Sequence, residues 1–455
     1  MNKFKKNIKN QGQAMIISMI FFLFISLAII SGLVSPSVRE FKIANDLIKS
    51  RQSFFLSESA VEDSYFRLKT GKAIGATNTI SLGDNSATAT ITDSGYNEKT
   101  ISALGDVSSR QRKNELVLNT GVGVSFNYGV QVGQGGLEMN NLSKIIGNAY
   151  SNGNIIGTNS ARIQGTAIAS GPVGIIEGMD INGDAWSYTI RGTSTVGGSA
   201  THSVLQNTTV TGNVAADFIS NCTIGGTAKY DIRSSCTVTG VTTVPNPEVF
   251  IPANILPLPI SEAQIDLWEA EAEAGGVVGS QNYSSGNINL GPKKINGDLL
   301  LSNTAELTVT GTLWVTGEIR LSNSAIMRLA PSFGNSSGVV FAGIDENSSN
   351  GYIEISNSAQ LLGSGASGSY IMLLSQKEGV TSNAIKMSNS SAAAIVYAGE
   401  GKIEINNSAA LKEVTAYLLK ITNNATVTYE SGLANANFVN GPSGGWNIKS
   451  WREIK

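Results

Sequence analysis

The chain has 455 residues, room for two or three domains, with 32 Lys and Arg against 34 Asp and Glu and a formal net charge of −2. Charged residues are few, glycine is abundant at 50, and Ser, Thr and Asn dominate the turns, which suits an all-β repeat protein outside a cell. Nothing suggests a nucleic-acid footprint, and with His202 the one histidine, a His-based metal site or Ser-His-Asp triad would rest on it alone.

Residues 1–12 form a basic leader with Lys3, Lys5, Lys6 and Lys9. The run from Ala14 to Val34 is apolar and uncharged over 21 residues. As a helix it spans about 30 Å, the thickness of a bilayer core. The lysines before it should stay cytoplasmic, which makes a single-pass cell-membrane protein with the bulk of the chain outside. Helical patterning continues to about Lys69, with Phe41, Ala44, Leu47, Ile48, Phe54, Phe55 and Val61 available for an apolar stripe and Gly71 as a stop.

Three segments carry a family resemblance: the leader ending at Gly12, the apolar stretch Gln13-Ala14-Met15-Ile16-Ile17-Ser18-Met19-Ile20-Phe21-Phe22, and Gln52-Ser53-Phe54-Phe55-Leu56-Ser57-Glu58-Ser59-Ala60-Val61-Glu62. Over its first 70 or so residues the chain resembles type IV pilin-like proteins, specifically the PilX N-terminal family of pilus assembly proteins. The resemblance implies cleavage between Gly12 and Gln13 by a prepilin peptidase, and other pilin-like subunits as partners. The fifth residue after that point is Ile17, not the glutamate typical of major pilins, which leaves a minor-subunit role. Residues 13–70 are then a transmembrane and pilin-like helix. Residues 71–120 are the small β module that commonly follows it, with strands at 87–92 and 116–118.

Residues 121–244 read as a first β-solenoid region. A 14-residue period runs through Ser194-Thr195-Val196-Gly197-Gly198, Thr208-Thr209-Val210-Thr211-Gly212, Cys222-Thr223-Ile224-Gly225-Gly226 and Cys236-Thr237-Val238-Thr239-Gly240. Glycine closes each copy where a turn needs φ freedom, and Ile190, Val204, Phe218 and Ile232 keep the apolar phase. Cys222 and Cys236 share a phase, so stacked coils would bring them to about 5 Å; a disulfide and a pair of buried free thiols both fit. Five prolines between Pro245 and Pro259 make residues 245–275 an extended linker followed by a short helix capped by Ser261, with Asp266, Glu269, Glu271 and Glu273 exposed.

Residues 276–440 read as a second solenoid region, built on a seven-residue frame. It appears as Leu299-Leu300-Leu301-Ser302-Asn303-Thr304-Ala305 and Ile319-Arg320-Leu321-Ser322-Asn323-Ser324-Ala325, and recurs from Ile353, Ile385, Ile403 and Leu419. Strand alternation puts the two aliphatic residues, the Asn and the Ala on one face. That predicts an inward ladder of Asn303, Asn323, Asn357, Asn389, Asn407 and Asn423. It also predicts an outward column of Arg320, Glu354, Lys386, Glu404 and Lys420, in which the sign alternates strictly. Second apolar runs at 339–341, 370–373, 395–397 and 416–418 form the opposite wall. Residues 441–455 would cap the open end of the last coil.

No catalytic cluster emerges. Gly441-Pro442-Ser443-Gly444-Gly445 fits G-x-S-x-G, but no helical pattern or histidine follows it. Asp180, Asp184, Asp217, Asp231, Asp298 and Asp345 share no repeat phase, as converging carboxylates would. His202, near a repeat turn, reads as a surface residue. The expected architecture is therefore mainly β: parallel β-helix regions following a long pilin-like transmembrane helix. The expected function is structural or adhesive, with no enzyme activity, cofactor or metal. Partners would be the membrane, pilin-like subunits, prepilin peptidase and a surface polysaccharide or a ligand on a host or neighbouring cell. The alternatives are a membrane-anchored adhesin without a filament and, behind it, a β-helix polysaccharide-active enzyme.

Overall fold

The computed structural model describes residues 9–69, 75–95, 98–120, 128–344, 349–430, 433, 438 and 446–454. The chain is mainly β with one long apolar helix near its start, and it divides into two units, residues 1–119 with 446–455 and residues 120–445.

In the first unit, helix α1 (Lys9–Lys69) continues through Pro36. Strands β1 (Thr77–Leu82), β2 (Asn85–Gly95), β3 (Glu98–Val107) and β4 (Arg110–Thr120) follow as an antiparallel meander. The buried stripe of α1 is Ser53, Leu56, Ser57, Ala60, Val61 and Ser64, at helical spacing. The aromatics expected there are not in it: Phe41 and Phe55 are 69% and 61% exposed. Small residues win because the helix lies directly on the sheet backbone. Ser53 Oγ donates to the Gly105 carbonyl at 2.7 Å, and a Cβ on Gly105 would lie 2.3 Å from the Ser53 carbonyl oxygen. Asn114, buried on β4, donates to Ser57 Oγ at 2.6 Å.

The tail does not cap a coil. Trp446–Ile454 is the fifth strand of this sheet, and Arg452 pairs with Glu115 at 2.6 Å and Glu453 with Arg112. An open strand edge recruits whatever chain offers complementary charge, and β4 and the tail do so reciprocally.

The second unit is a β-solenoid of parallel strands. Its 14-residue coils carry three short strands each, such as Val204–Gln206, Thr209–Val210 and Val214–Ala215. The two expected solenoid regions are one. The strand Glu413–Ile421, late in the chain, pairs in parallel with Val130–Met139, the first of the solenoid. A single inward aliphatic column therefore runs Leu299, Ile319, Ile353, Ile385, Ile403, Leu419, then Leu137, Ile155, Ile176, Ile190, Leu205 and Ile219. All twelve are buried. Ile190 aligns with Leu205 and not with Val204, because that coil has one residue more. Val204, Phe218 and Ile232 stack as an outer, partly exposed column.

The repeat glycines have a different reason from the one expected. Gly165, Gly183, Gly198, Gly212, Gly226 and Gly240 stack by backbone hydrogen bonds of 2.9–3.2 Å, each N–H donating to the glycine carbonyl of the coil before. A Cβ on Gly212 would stand 2.5 Å from the Gly198 carbonyl oxygen. Space, not φ, selects glycine there.

The prolines make a strap rather than a free linker. It runs back along the coils: Asn246 Nδ2 donates to the Ala216 carbonyl, Trp186 Nε1 to Ile251, Asn152 Nδ2 to Leu256 and Gln131 Nε2 to Pro257. Helix α2 (Glu262–Ala274) then covers the outside of one wall. This explains why the runs at 339–341 and 371–374 are buried on both sides. Val340 and Leu373 face the solenoid core, whereas Phe341, Met372, Leu374 and Ile395 pack with Trp268 beneath α2. Ser261 is the N-cap residue of α2 but makes no side-chain cap bond. Of its acidic residues, Glu269 and Glu271 are partly buried and accept from Gln376 and Thr312.

Candidate functional site

Two features stand out chemically: the exposed half of α1 and the ordered columns on the solenoid surface. From Met15 to Val34 the large apolar side chains of α1 face outward, Met15 at 75%, Phe22 at 73% and Leu33 at 65% exposure. The helix is long and apolar enough to cross a membrane. Gln13 is exposed and Gly12 precedes it within α1. Residues 1–8 of the leader lie outside the described residues, as do Gly71, Asp345 and Gly441–Gly445.

The asparagines form a column, but they point outward. Asn303, Asn323, Asn357, Asn389, Asn407 and Asn423 are exposed, each with φ between 51° and 55°. In five copies the strand ends two residues before the Asn, at Leu321, Ile355, Met387, Ile405 or Ile421, and in the first it runs on through Asn303; at every Asn the chain turns a left-handed corner. That corner breaks the two-residue alternation before the Ala, which does face inward. Asn tolerates this conformation better than most residues. From Asn323 onward each Nδ2 donates to the Oδ1 of the preceding Asn in the column at 2.9–3.3 Å. The series continues through Asn141 and Asn159 across the join. The sequence signal was present, since Leu137–Ser143 and Ile155–Ala161 fit the same frame.

Exposure changes what substitution should do. Asn389→Leu leaves no buried amide unpaired; it places a branched side chain at positive φ, worth about 1–2 kcal/mol. Asn389→Gly loses the same two amide bonds without that strain. Leu should therefore destabilise more than Gly in urea melts, and equal melts would show that the amide bonds, not the corner, matter.

Arg320, Glu354, Lys386, Glu404 and Lys420 are register partners in that order, and Glu138 follows Lys420. Arg320 Nη1 pairs with Glu354 at 3.1 Å, and Lys420 reaches Glu138 at 4.0 Å. Glu404 instead accepts from Asn406 and Asn383. These are exposed or half-exposed pairs that specify register more than stability. Cys222 and Cys236 stack with Cα atoms 4.5 Å apart and form a disulfide.

His202 is not on the surface. It is fully buried, neither ring nitrogen has a hydrogen-bond partner, and burial pushes its pKa down to about 3. Glu413 is likewise fully buried, and Thr415 donates to it at 2.7 Å; burial raises its pKa well above the carboxylate range. The aspartates hold coils together. Asp184 accepts from the Ser199 N–H, Asp298 from the Glu318 N–H, Asp231 from the Asn246 N–H and Asp217 from Ser203 Oγ, while Asp180 pairs with Arg162. A cavity of about 440 Å³ opens beside the first turn of α2, lined by Ile260, Glu262, Gln376, Tyr397 and Glu400 among others. Burial, then Glu378 and Glu262, raise the Glu400 pKa. Among the described residues no group of His, Cys, Asp and Glu could hold a metal ion.

No protein-family model matches the chain, and no curated protein matches it. Among solved structures it is similar to the competence-associated pilin ComZ from Thermus thermophilus, at 12% identity and a TM-score of 0.36, over 89% of this chain and 97% of that one. It is also similar to an ice-binding protein from an Antarctic bacterium, Flavobacteriaceae, at 12% identity and a TM-score of 0.13, over 67% of this chain and 82% of that one. Superpositions this loose fix no shared function.

Proposed function

We propose that this chain is a membrane-anchored, pilin-like surface protein, a minor component of a type IV pilus-like assembly with a structural or adhesive role and no catalytic one. The observation that carries the reading is the division of labour along α1. Its carboxyl half is buried on an antiparallel sheet through Ser53, Ala60 and Ser64, while its amino half presents Met15, Phe22, Phe24 and Leu33 to its surroundings. Apolar surface of that size needs lipid or a bundle of like helices. The partners are the membrane, other pilin-like helices and a prepilin peptidase acting between Gly12 and Gln13. The solenoid supplies the surface that meets a polysaccharide or a ligand on another cell.

Mass spectrometry of the native protein from cell envelopes tests this. Gln13 should be the first residue, with or without methylation. Chains beginning only at Met1 or Asn2 would favour the alternative, a surface adhesin anchored without a filament.

A further inference from the structure

The two ends of the solenoid are built differently. At one end lies the strand Val277–Leu290, 14 residues long, whose recorded strand partner is Lys293–Val309 on one side. Among the described residues no strand pairs with its other edge, which leaves a row of backbone N–H and C=O groups there without a strand against it. From Gly275 to Pro292 there is no Asp, Glu, Lys, Arg or His, and no proline within the strand. Charge and proline, two of the devices that keep an edge from pairing, are missing. The opposite end has them. Its last strands, Ile232–Ser234, Thr237–Val238 and Thr242–Thr243, are two or three residues long. Arg233 lies in the first of them, Lys229 and Asp231 just before it, and Pro245 and Pro247 follow the last at once.

We propose that the edge of Val277–Leu290 pairs with the same edge of a second copy of this chain, antiparallel and about a two-fold axis through Asn282. The strand is self-complementary in the way this requires. It bends around the coil where its pairing with the next strand slips, between Gly279 and Gln281 and between Tyr283 and Ser285. The two corners, Ser280 and Ser284, are equidistant from Asn282. A two-fold through Asn282 lays corner on corner and Val277–Gly279 on Ser285–Asn287. The half-exposed Val278, Tyr283, Ile288 and Leu290 already pack against the end of the core, and a second copy would complete their cover. Like charges do not oppose each other anywhere along the strand. Joining the two different ends instead would set the uncharged 14-residue strand against the short, charged one.

The test uses the full chain. In an antiparallel pair, residues facing each other across the axis have Cα atoms about 4.5–5.5 Å apart, within disulfide range. Asn282→Cys in membranes should therefore give, on oxidation, a species of twice the chain mass. Asn282 is exposed, so Asn282→Lys leaves the fold intact but faces its own copy. Light scattering in detergent should find wild type dimeric and Asn282→Lys monomeric, with a mixture of Asn282→Lys and Asn282→Glu dimeric again. Assemblies larger than two chains in light scattering, with no Asn282→Cys cross-link, would mean end-to-tail stacking and overturn the proposal. So would an Asn282→Lys protein that stays dimeric, since association would then run through α1 or another surface, or a monomeric wild type, or an Asn282→Cys protein that does not cross-link.

Discussion

Replacing Gly212 by alanine should push two coils apart and lower the stability of the solenoid by about 3 kcal/mol. The added Cβ would sit 2.5 Å from the Gly198 carbonyl oxygen, 2.7 Å from its carbon and 2.9 Å from the Ser199 nitrogen. All three atoms are backbone, so no side chain can swing away. The Gly212 N–H donates to that same Gly198 carbonyl at 3.0 Å, and relief of the clash would break the bond. In a solenoid each coil is held only by its neighbours, so the loss should concentrate at one interface. Hydrogen exchange should rise in the coils on either side before it rises elsewhere. Gly279→Ala is the control, because nothing lies within 4 Å of a Cβ there, and it should be neutral within about 0.5 kcal/mol. Equal effects of the two substitutions would show that the glycine column is not held by space.

Acid should loosen the same region through His202. The folded pKa is pushed down to about 3 from an ordinary 6.5 by burial. A depressed histidine contributes stability that is complete above pH 6.5 and is lost as pH falls from 6.5 towards 3, because the unfolded chain takes up the proton first. That difference amounts to about 2 kcal/mol between pH 7 and pH 5, and about 5 kcal/mol below pH 3. Glu413 acts in the opposite sense. Its pKa is raised by burial, so its contribution is present in acid and lost as pH rises. Wild type alone mixes the two, and His202→Met separates them by keeping a flexible apolar filler that cannot titrate. Urea midpoints at pH 7 and pH 5 should fall further for wild type than for His202→Met. Parallel pH dependences would mean that His202 does not carry the acid sensitivity.

The repeat frame was legible because each coil must present aliphatic residues inward at fixed spacing. That requirement writes Ile319, Leu321 and Ala325 into every copy regardless of neighbours. The charge column was legible for the same reason, and its alternation extends to Glu138. The asparagines were misplaced because strict alternation assumes an unbroken strand, and a corner with positive φ at Asn323 or Asn389 resets the phase. His202 looked peripheral because it sits beside short, polar turns; a coil of 14 residues has corners that point inward as well as outward. The small-residue stripe of α1 was hidden by its own aromatics, since Phe41 and Phe55 carry more hydrophobicity than Ser53 or Ala60.

What the sequence by itself determined was the kind of coil: its period, its inward positions, its glycine column and the stacked cysteines. All of these follow from local spacing. Which coil sits on which was decided only by the tertiary structure. Glu413–Ile421 stacks on Val130–Met139 because the strap from Pro245 to Pro259 carries the chain back along the coils, so the second set must grow towards the first. The tail at Trp446–Ile454 was likewise free, by pattern, to cover any open edge, and complementary charges on β4 chose it. Periodicity fixes the face a residue takes, whereas the neighbour it meets depends on contacts hundreds of residues apart that leave no periodic trace.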